Sequence, residues 1–539
     1  MQKKQNISWL YAHQKNLIKP LIILSFIGVI LSLSAIFFAF YSKETVDAIL
    51  ADNQSLFISS AIVIASIMMI NLIGSTLNHY LKVYYKAQSE KSLRKIIFKK
   101  LLIKDQREID NVHSGELMTY LTSDIDIISD GIIEIIPRVV FYVTRFMGAF
   151  VLIFVIDQLF ALIFLALGAI LLIASRLVAK PMRKRHRIYQ EKESQTRAFM
   201  QESLEHMPLI KSFEKEEAIS NDQDLKQEKA FHARLKKHLL TVFTQSGMQL
   251  FFAFGYTFAI IFGAYRLQFG LTVGSLLALI QLVGHIQTPF TGLSSLIPKA
   301  NHLLASTERL RELDTIKEEQ HESEDIGLNT DFKGITISNL QFKYDQTNVI
   351  DHLNFEIKKG DFVHIVGQSG KGKTTLFNVM LALYLPQAGE IIYHLKDQSI
   401  NASKMTRALF SYVPQGKFVL SGTIRNNLCF YALKKDEDLF NALKVVGLYE
   451  DIMALPLGLD TQLKEKGTGL SEGQLQRLAI ARALLRDAPV LLLDEITSAL
   501  DQKIEQLILK NLKTMTHKTV LISSHRVLND EVITKKLVL

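Results

Sequence analysis

The sequence predicts a two-part fold, in which an all-α membrane domain of six helices is fused to an α/β domain. The chain has 539 residues, of which 48% are hydrophobic, so it is too long for one ordinary soluble domain and too apolar for two. All long apolar runs precede residue 296, whereas short β-branched and aromatic runs alternate with helical patterns further on. We expect the membrane domain at 1–310, a charged linker at 311–331 and the α/β domain at 332–539.

The apolar half contains six runs, most of which approach the roughly twenty uncharged residues that a transmembrane helix needs. Buried helices of a large soluble protein are disfavoured by the length and repetition of these runs. The first run is too long for the core of a cleavable signal peptide, so we expect it to remain in the mature protein. The six runs are Leu21–Phe40, Leu56–Gly74, Phe146–Ile156, Leu159–Ser175, Met248–Ala264 and Leu271–His285.

Basic residues predict the orientation of these spans in the bilayer. The connections after spans two and four are long and rich in lysine and arginine, whereas those after spans one and three are short or acidic. The sequence therefore predicts a multi-pass protein of the cytoplasmic (inner) membrane with both termini in the cytosol. The net charge of +9 reflects this asymmetry. Nucleic-acid binding is disfavoured, because the sequence has no basic stretch that is interleaved with aromatic residues. The lone Cys429 excludes an intramolecular disulfide.

The two long basic connections are helical in pattern, so we expect the spans to continue well into the cytosol. Gly115 and Pro208 interrupt the helical periodicity, which suits short transverse contact helices within 114–126 and 202–214. An ordinary solvated helix is the alternative at each place.

A glycine-rich turn follows the apolar strand Phe362–Val366 and precedes an apolar helical run. In such a turn the backbone N–H groups surround phosphate oxygens, the lysine reaches the β- and γ-phosphates, and the hydroxyl after it binds Mg²⁺. A glycine-rich surface turn is the alternative, which the flanking strand and helix disfavour. The predicted ATP site comprises Gly367, Gln368, Ser369, Gly370, Lys371, Gly372, Lys373, Thr374 and Thr375.

Two further features suit a nucleotide site. The apolar run from Val490 ends in Asp494 and Glu495, which are placed to hold Mg²⁺ through water and to orient or deprotonate an attacking water. Tyr344 precedes a predicted turn, and its ring can stack on adenine. The alternative is a tyrosine that merely ends a strand, which would give the same sequence pattern.

A second anion-binding feature lies at Leu470, Ser471, Glu472, Gly473 and Gln474, which open a helix. Ser471 and Gln474 have the spacing of a capping box, which predicts a well-capped helix start. The backbone donors and the helix dipole at the same place also suit a phosphate. The chain thus carries two phosphate-facing surfaces far apart in sequence.

In order and spacing, these motifs resemble those of an ATP-binding cassette (ABC) exporter of the half-transporter kind, across nearly the whole chain. The resemblance implies that residues 367–374 are the Walker A motif and 470–474 the signature. It also implies roles for five single residues: Gln415 as a Q-loop contact to Mg²⁺ and γ-phosphate, Asp494 as a Mg²⁺ ligand, Glu495 as the catalytic base, Asp501 in the D-loop and His525 as the switch histidine.

The resemblance further implies a partner, a second half-transporter chain in a homodimer or heterodimer. ATP bound at Lys373 of one chain would be capped by Ser471 and Gly473 of the other, and the cycle would export or flip a substrate across the membrane. A cassette-gated regulator or channel that does not pump is the alternative function. Glu472 departs from the usual signature, in which glycine is commoner, and we expect its carboxylate to point away from the phosphates.

Arg145 lies inside the third predicted span, where an ionisable side chain is expected to face protein or a water-filled cavity. Gln281 and His285 follow helical spacing on the sixth span. These three residues are candidates for the transport path of an anionic or amphipathic substrate. The alternative is an arginine that pairs with polar groups of a neighbouring helix for packing.

Overall fold

The chain forms two compact units in the computed structural model. The first comprises Met1–Lys99 and Gly115–Leu313, and the second comprises Lys100–Ser114 and Asp314–Leu539. The second unit therefore includes a short segment from within the stretch assigned to the membrane domain. The structure describes residues 2–112, 114–319, 331–344, 347–368, 370–416, 419–464, 469–496, 500–524 and 532–539, without the side chains of 2–3, 114, 169, 171–176 and 179.

The first 312 residues are almost entirely helical. Five described helices are long and apolar enough to cross a membrane, and the apolar helix from Gln158 to Gly168 begins the fourth predicted span. The rest of that span is 169–175, and most of its side chains are outside the described set. The helices are α1 Gln2–His13, α2 Ile18–Leu50, α3 Gln54–Leu102, α4 Gln106–Asp110, α5 Ser114–Thr119, α6 Ile125–Ile156, α7 Gln158–Glu205, α8 Met207–Ser212, α9 Glu216–Arg266 and α10 Val273–Glu312.

Local chemistry explains where these helices begin and end. The Asp157 carboxylate caps α7 by accepting from the Phe160 N–H at 2.9 Å, and its second oxygen accepts from Arg266 Nε at 2.8 Å. The tight connection between α6 and α7 is therefore tied to the end of α9. Pro208 lies in the first turn of α8, where its missing N–H costs no helical bond. The predicted short helix at this bend is present.

The second unit contains an antiparallel sheet of order β2-β1-β4-β5 and a parallel sheet of order β11-β3-β10-β9-β6. The strands are β1 Phe332–Tyr344, β2 Thr347–Lys358, β3 Phe362–Val366, β4 Ala388–Leu395, β5 Ser399–Asn401, β6 Phe410–Val413, β7 Gly422–Thr423, β8 Gln462–Leu463, β9 Val490–Asp494, β10 Thr519–Ser523 and β11 Lys535–Val538. Its further helices are α11 Lys373–Met380, α12 Ile424–Cys429, α13 Asp436–Val445, α14 Tyr449–Met453, α15 Glu472–Leu485 and α16 Gln502–Thr514.

Two apolar cores lie on either side of the parallel sheet. One packs α11 and the antiparallel sheet against one face, through residues such as Leu376 and Phe377. The other packs α12 to α16 against the opposite face, through residues such as Leu478 and Ile508. Strands β9 and β10 are buried along their whole length, which is why they read as continuous apolar runs. The all-α membrane part and the α/β part confirm the predicted fold class.

Candidate active site

The residues that follow four strands of the parallel sheet lie together at one edge of that sheet. Strands β3, β6, β9 and β10 all run parallel, so their carboxyl ends meet there. The glycine-rich turn follows β3, Gln415 follows β6 after one proline, and Glu495 and Ser524 directly follow β9 and β10. Residues that are up to 157 positions apart in the chain, Gly367 and Ser524, thus come to the same edge.

The phosphate loop has the backbone that its glycines allow. Gly370 and Gly372 have φ angles of +80° and +92°, which side-chain-bearing residues rarely adopt, and a Cβ on Gly372 would lie 2.6 Å from Val349. The chain then enters α11 at Lys373. The Lys373 side chain is 4% exposed, and its ammonium donates to the Gly367 carbonyl at 2.9 Å. Ser369 lies outside the described residues.

Asp494 is a fully buried carboxylate at the end of β9. It accepts hydrogen bonds from the hydroxyls of Ser523 at 2.7 Å and Tyr412 at 3.4 Å. Burial raises the pKa of Asp494 and the charge of Glu495 adds to this, while hydrogen bonds with Ser523, Thr374 and Tyr412 oppose the shift. A buried carboxylate whose ionised form is disfavoured, beside a threonine hydroxyl, is well suited to a bound cation.

Glu495 adopts a left-handed backbone conformation with φ of +49°. Its N–H donates to the Ser523 carbonyl at 3.1 Å and hydroxyl at 3.0 Å, which holds this conformation. Its carboxylate lies 3.2 Å from the Lys373 ammonium and accepts from Gln415 Nε2 at 2.6 Å. The structure thus joins Lys373, Gln415 and Glu495 in one polar cluster. Residues held in such unfavourable conformations often belong to functional sites.

Tyr344 lies beside the phosphate loop. Its hydroxyl is 3.4 Å from the Thr375 hydroxyl, and its ring is 40% exposed. The ring meets Phe342 and Tyr384 edge-on, with centroids 5.1 and 6.0 Å away, so these two rings fix its position. An exposed aromatic face next to a phosphate loop is the geometry that adenine stacking requires.

The signature residues form the predicted capped helix start. The Ser471 hydroxyl accepts from the Gln474 N–H at 3.2 Å, and the Gln474 side chain accepts from the Ser471 N–H at 2.8 Å. The predicted capping box is therefore present at the start of α15. Among the described residues, no side-chain hydrogen bond or ion pair joins 470–474 to the phosphate loop. Helix α15, which the signature opens, packs in the apolar core on the opposite face of the parallel sheet from α11, which follows the phosphate loop.

The remaining predicted residues of the nucleotide site are described in part. Asp501 caps α16 by accepting from the Ile504 N–H at 2.9 Å, so it has a structural role in this chain. His525 lies outside the described residues.

In the first unit, the structure brings two of the predicted transport-path residues together. Arg145 Nη2 lies 2.8 Å from His285 Nδ1, and the guanidinium stacks 5.5 Å from the centre of the Phe141 ring. No carboxylate lies within 4 Å of Arg145 among the residues that the structure describes. Gln281 lies one helical turn before His285 on α10, without a hydrogen bond to either residue in the described part of the chain.

The sequence did not predict the contact made by α4. Arg107 donates to the Lys343 carbonyl at 3.3 Å and covers the Phe342 ring at 5.4 Å, and Asp110 accepts from the Tyr384 hydroxyl at 2.7 Å. This helix therefore touches the aromatic residues that support Tyr344. A short helix, α5, lies within the predicted contact element at 114–126, and its role as a contact element stays a prediction. Asp105, whose side chain caps the start of α4, was the sequence feature that could have revealed this helix.

Comparison with known proteins decides the family. Residues 21–290, half of the chain, match the family model of the ABC transporter transmembrane region, and residues 350–498 match the ABC transporter model. The chain belongs to the ABC transporter family. Within it, the chain has the half-transporter arrangement of an exporter, and it couples ATP hydrolysis to transport.

Similar proteins agree with this ABC exporter assignment. A putative export ATP-binding/permease protein of Rickettsia bellii is 27% identical over 96% of this chain and 90% of its own length. An ATP-dependent lipid A-core flippase of Francisella tularensis is 26% identical over 85% of this chain and 77% of its own. The solved structure of a bacterial Atm1-family ABC exporter with ATP bound matches with a TM-score of 0.76 and 22% identity, covering 95% of this chain and 91% of that one. The last comparison supports the fold.

Proposed function

We propose that this ABC exporter works as a dimer that hydrolyses ATP at composite sites and moves an anionic amphiphile across the cytoplasmic membrane. The observation that carries the catalytic part is the cluster of Lys373, Asp494, Glu495 and Gln415 at one edge of the parallel sheet. Among the described residues, no side-chain hydrogen bond or ion pair joins the signature start of α15 to this cluster. A second chain, identical or not, supplies the missing signature surface in this proposal.

The described residues have separate roles at each composite site. Lys373 and the backbone of the phosphate loop bind the β- and γ-phosphates, and Tyr344 stacks on the base. Glu495 orients or deprotonates the attacking water, and Gln415 positions its carboxylate. Ser471 and Gly473 of the second copy complete the phosphate site. Asp501 and His525 are assigned to the D-loop and switch roles of the family.

Mg²⁺ fits the residues that are present. Asp494 supplies a buried carboxylate, and burial disfavours its ionised form when no cation is bound. Thr374 supplies a hydroxyl within hydrogen-bonding reach of this carboxylate. Gln415 adds a third oxygen at the same edge. When bound, the ion neutralises charge on the phosphate oxygens. The protein's contribution is to hold these ligands before the nucleotide arrives.

The transported substrate is an amphiphile whose anionic group passes Arg145. The Arg145 position lies about 18 Å along α6 from the turn at Asp157, near the middle of a bilayer core of about 30 Å. Among the described residues its partners are a histidine and an aromatic ring and include no carboxylate, so this guanidinium remains available to an anion. The flippase relative, whose substrate is lipid A-core, makes a lipid-like substrate reasonable for this chain.

The decisive experiment measures ATPase activity and movement of a fluorescent anionic phospholipid in vesicles that contain the purified full-length protein. We expect Glu495→Gln to keep ATP binding but to lower hydrolysis and lipid movement by about 10²-fold or more, because the general base is lost. Arg145→Ala is expected to lower lipid movement and lipid-stimulated hydrolysis, while Arg145→Lys retains part of both. Glu450→Gln, on the exposed face of α14, is the matched control.

Two outcomes would contradict the proposal. Lipid movement at the original rate by Glu495→Gln would favour the channel or regulator that does not pump. Unchanged movement and unchanged stimulated hydrolysis in Arg145→Ala would remove Arg145 from the transport path.

A further inference from the structure

A cavity between α2, α3 and α6 has the chemistry of a phosphate-headgroup site. Its volume is about 380 Å³, which is within the range of small-ligand pockets. One part is apolar, formed by Leu24, Leu31 and Phe141, and the other part is polar. The polar lining consists of Ser75, Asn78, His79, Lys82 and Arg138, together with the Tyr142 ring.

Specific hydrogen bonds fix the positions of the three helices that form the walls of this cavity. Toward the α2–α3 turn, the Ser34 hydroxyl donates to Asn71 at 2.7 Å, which ties α2 to α3. Toward the other end of α3, the buried Ser89 and Ser129 hydroxyls lie 2.9 Å apart, which ties α3 to α6. The Ser32 hydroxyl donates to the Phe141 carbonyl at 2.8 Å and ties α2 to α6. The cavity is therefore a gap between fixed contacts.

The charges around the cavity favour an anion. Lys86 pairs with Asp126 at 2.9 Å, Arg138 pairs with Glu134 at 2.8 Å, and Lys299 pairs with Glu134 and with Asp130. Lys82 lies in the same layer, and no carboxylate oxygen of the described residues is within 4 Å of its ammonium. Four cations thus face three carboxylates, which leaves Lys82 as the excess positive charge.

The depth of the cavity matches the level of lipid headgroups. Lys82 lies about 42 Å along α3 from Gln54, which begins the helix after the short α2–α3 turn. Because the hydrocarbon core is about 30 Å thick, Lys82 lies beyond it, on the side of the long basic connections. Anionic lipids concentrate in the cytoplasmic leaflet, and basic pockets between transmembrane helices bind their headgroups.

Asn78 supplies an additional polar group. Its side-chain oxygen is buried and has no hydrogen-bond partner among the residues that the structure describes. A buried acceptor without a donor costs free energy, which a hydroxyl on the ligand removes. We infer that this cavity binds one anionic glycerophospholipid, with its phosphate at Lys82 and Arg138, its headgroup hydroxyl at Asn78 and the start of its acyl chains against Leu31 and Phe141. This inference requires membrane insertion only, not the proposed dimer or substrate.

The test is a binding titration of the purified, delipidated full-length protein, read by native mass spectrometry as the number of retained lipids. The probes are phosphatidylglycerol, zwitterionic phosphatidylcholine and inorganic phosphate. We expect phosphatidylglycerol to bind more tightly than phosphatidylcholine, and Lys82→Gln to weaken it about fivefold, because one basic residue near an anionic surface contributes about 1 kcal/mol. Lys82→Arg keeps the positive charge, so we expect it to bind phosphatidylglycerol as the original protein does. Retained binding by this variant also shows that a substitution at position 82 leaves the protein folded.

Lys91→Gln is the matched control, because it removes the same charge from an exposed position on the same helix. Equal weakening by Lys82→Gln and Lys91→Gln would overturn the inference, since it would reflect general surface charge. Displacement of the lipid by millimolar inorganic phosphate would overturn the assignment to a lipid. Unchanged binding in Lys82→Gln would overturn the site itself. ATP hydrolysis is not part of the readout, so these outcomes are separate from those that test the proposed function.

Discussion

The contact between α4 and the aromatic residues beside Tyr344 leads to a quantitative prediction. The Tyr384 hydroxyl is buried with its ring and donates to the Asp110 carboxylate at 2.7 Å. Burial and this hydrogen bond raise the pKa of Tyr384, so the hydroxyl stays protonated and remains the donor at neutral pH. Tyr384→Phe removes this bond, together with the weaker interaction of the hydroxyl with Tyr344, and leaves the ring that stacks on Phe342.

The magnitude follows from the surroundings of the two groups. A hydrogen bond to a charged group contributes about 1.5–3 kcal/mol, and the lower value applies because Asp110 is exposed to solvent. Release of α4 from the rest of the second unit then becomes about tenfold more frequent, since about 1.4 kcal/mol corresponds to a factor of ten. The other contacts of this segment, including Lys104 Nζ to the Ile316 carbonyl at 2.7 Å, are unchanged.

Hydrogen exchange of the full-length protein measures this release directly. We expect amides within 104–110 to exchange about tenfold faster in Tyr384→Phe, because their protection depends on how often the segment opens. Tyr431→Phe removes a hydroxyl from a residue that is 96% exposed and serves as the matched control. The reasoning is wrong if exchange in this segment is the same in Tyr384→Phe as in the original protein, or if Tyr431→Phe changes it equally.

Two further predictions concern buried and half-buried carboxylates. The raised pKa of Asp494 means that the folded protein holds this proton more tightly than the unfolded chain, so stability falls as pH rises through the folded pKa. Asp494→Asn should therefore raise the melting temperature of the nucleotide-free protein at pH 7.5 while abolishing Mg²⁺-dependent hydrolysis; a lower melting temperature would contradict this. Burial acts to raise the pKa of Glu319, but hydrogen bonds and charges from Arg407 and Lys404 outweigh it and lower the pKa. The resulting stability is present above the ordinary pKa near 4.5 and is lost as pH falls through the lowered one. Glu319→Gln should cost about 2 kcal/mol at pH 7, as measured by pulse proteolysis, and this cost should shrink as the pH falls below the ordinary pKa; a cost that does not shrink on acidification would refute the ion pair's role.

The motifs that depend on local sequence could be predicted well. The glycine-rich turn needs a preceding strand and a following helix, and all three parts are adjacent in the chain, so their pattern is visible without a structure. The same holds for the Ser471 capping box, whose two partners are three residues apart. The apolar runs also reveal membrane helices directly, because a bilayer requires a long uncharged stretch.

Contacts between distant segments could not be predicted in this way. Asp110 and Tyr384 are 274 positions apart, and nothing near either residue indicates the other. Arg145 and His285 were both named from the sequence, but only the packing of α6 against α10 shows that they touch. The excess charge of Lys82 likewise emerges only after the neighbouring lysine and arginine residues are seen to pair with carboxylates.

The sequence by itself determined the family, the order of the two domains and the residue types of the ATP site, because each of these is written in short stretches with a fixed period or spacing. Only the tertiary structure decided which charges are neutralised, which aromatic rings support Tyr344 and where α4 docks. The physical reason is that burial and pairing depend on what lies across a contact, and the chain brings those partners together only by folding.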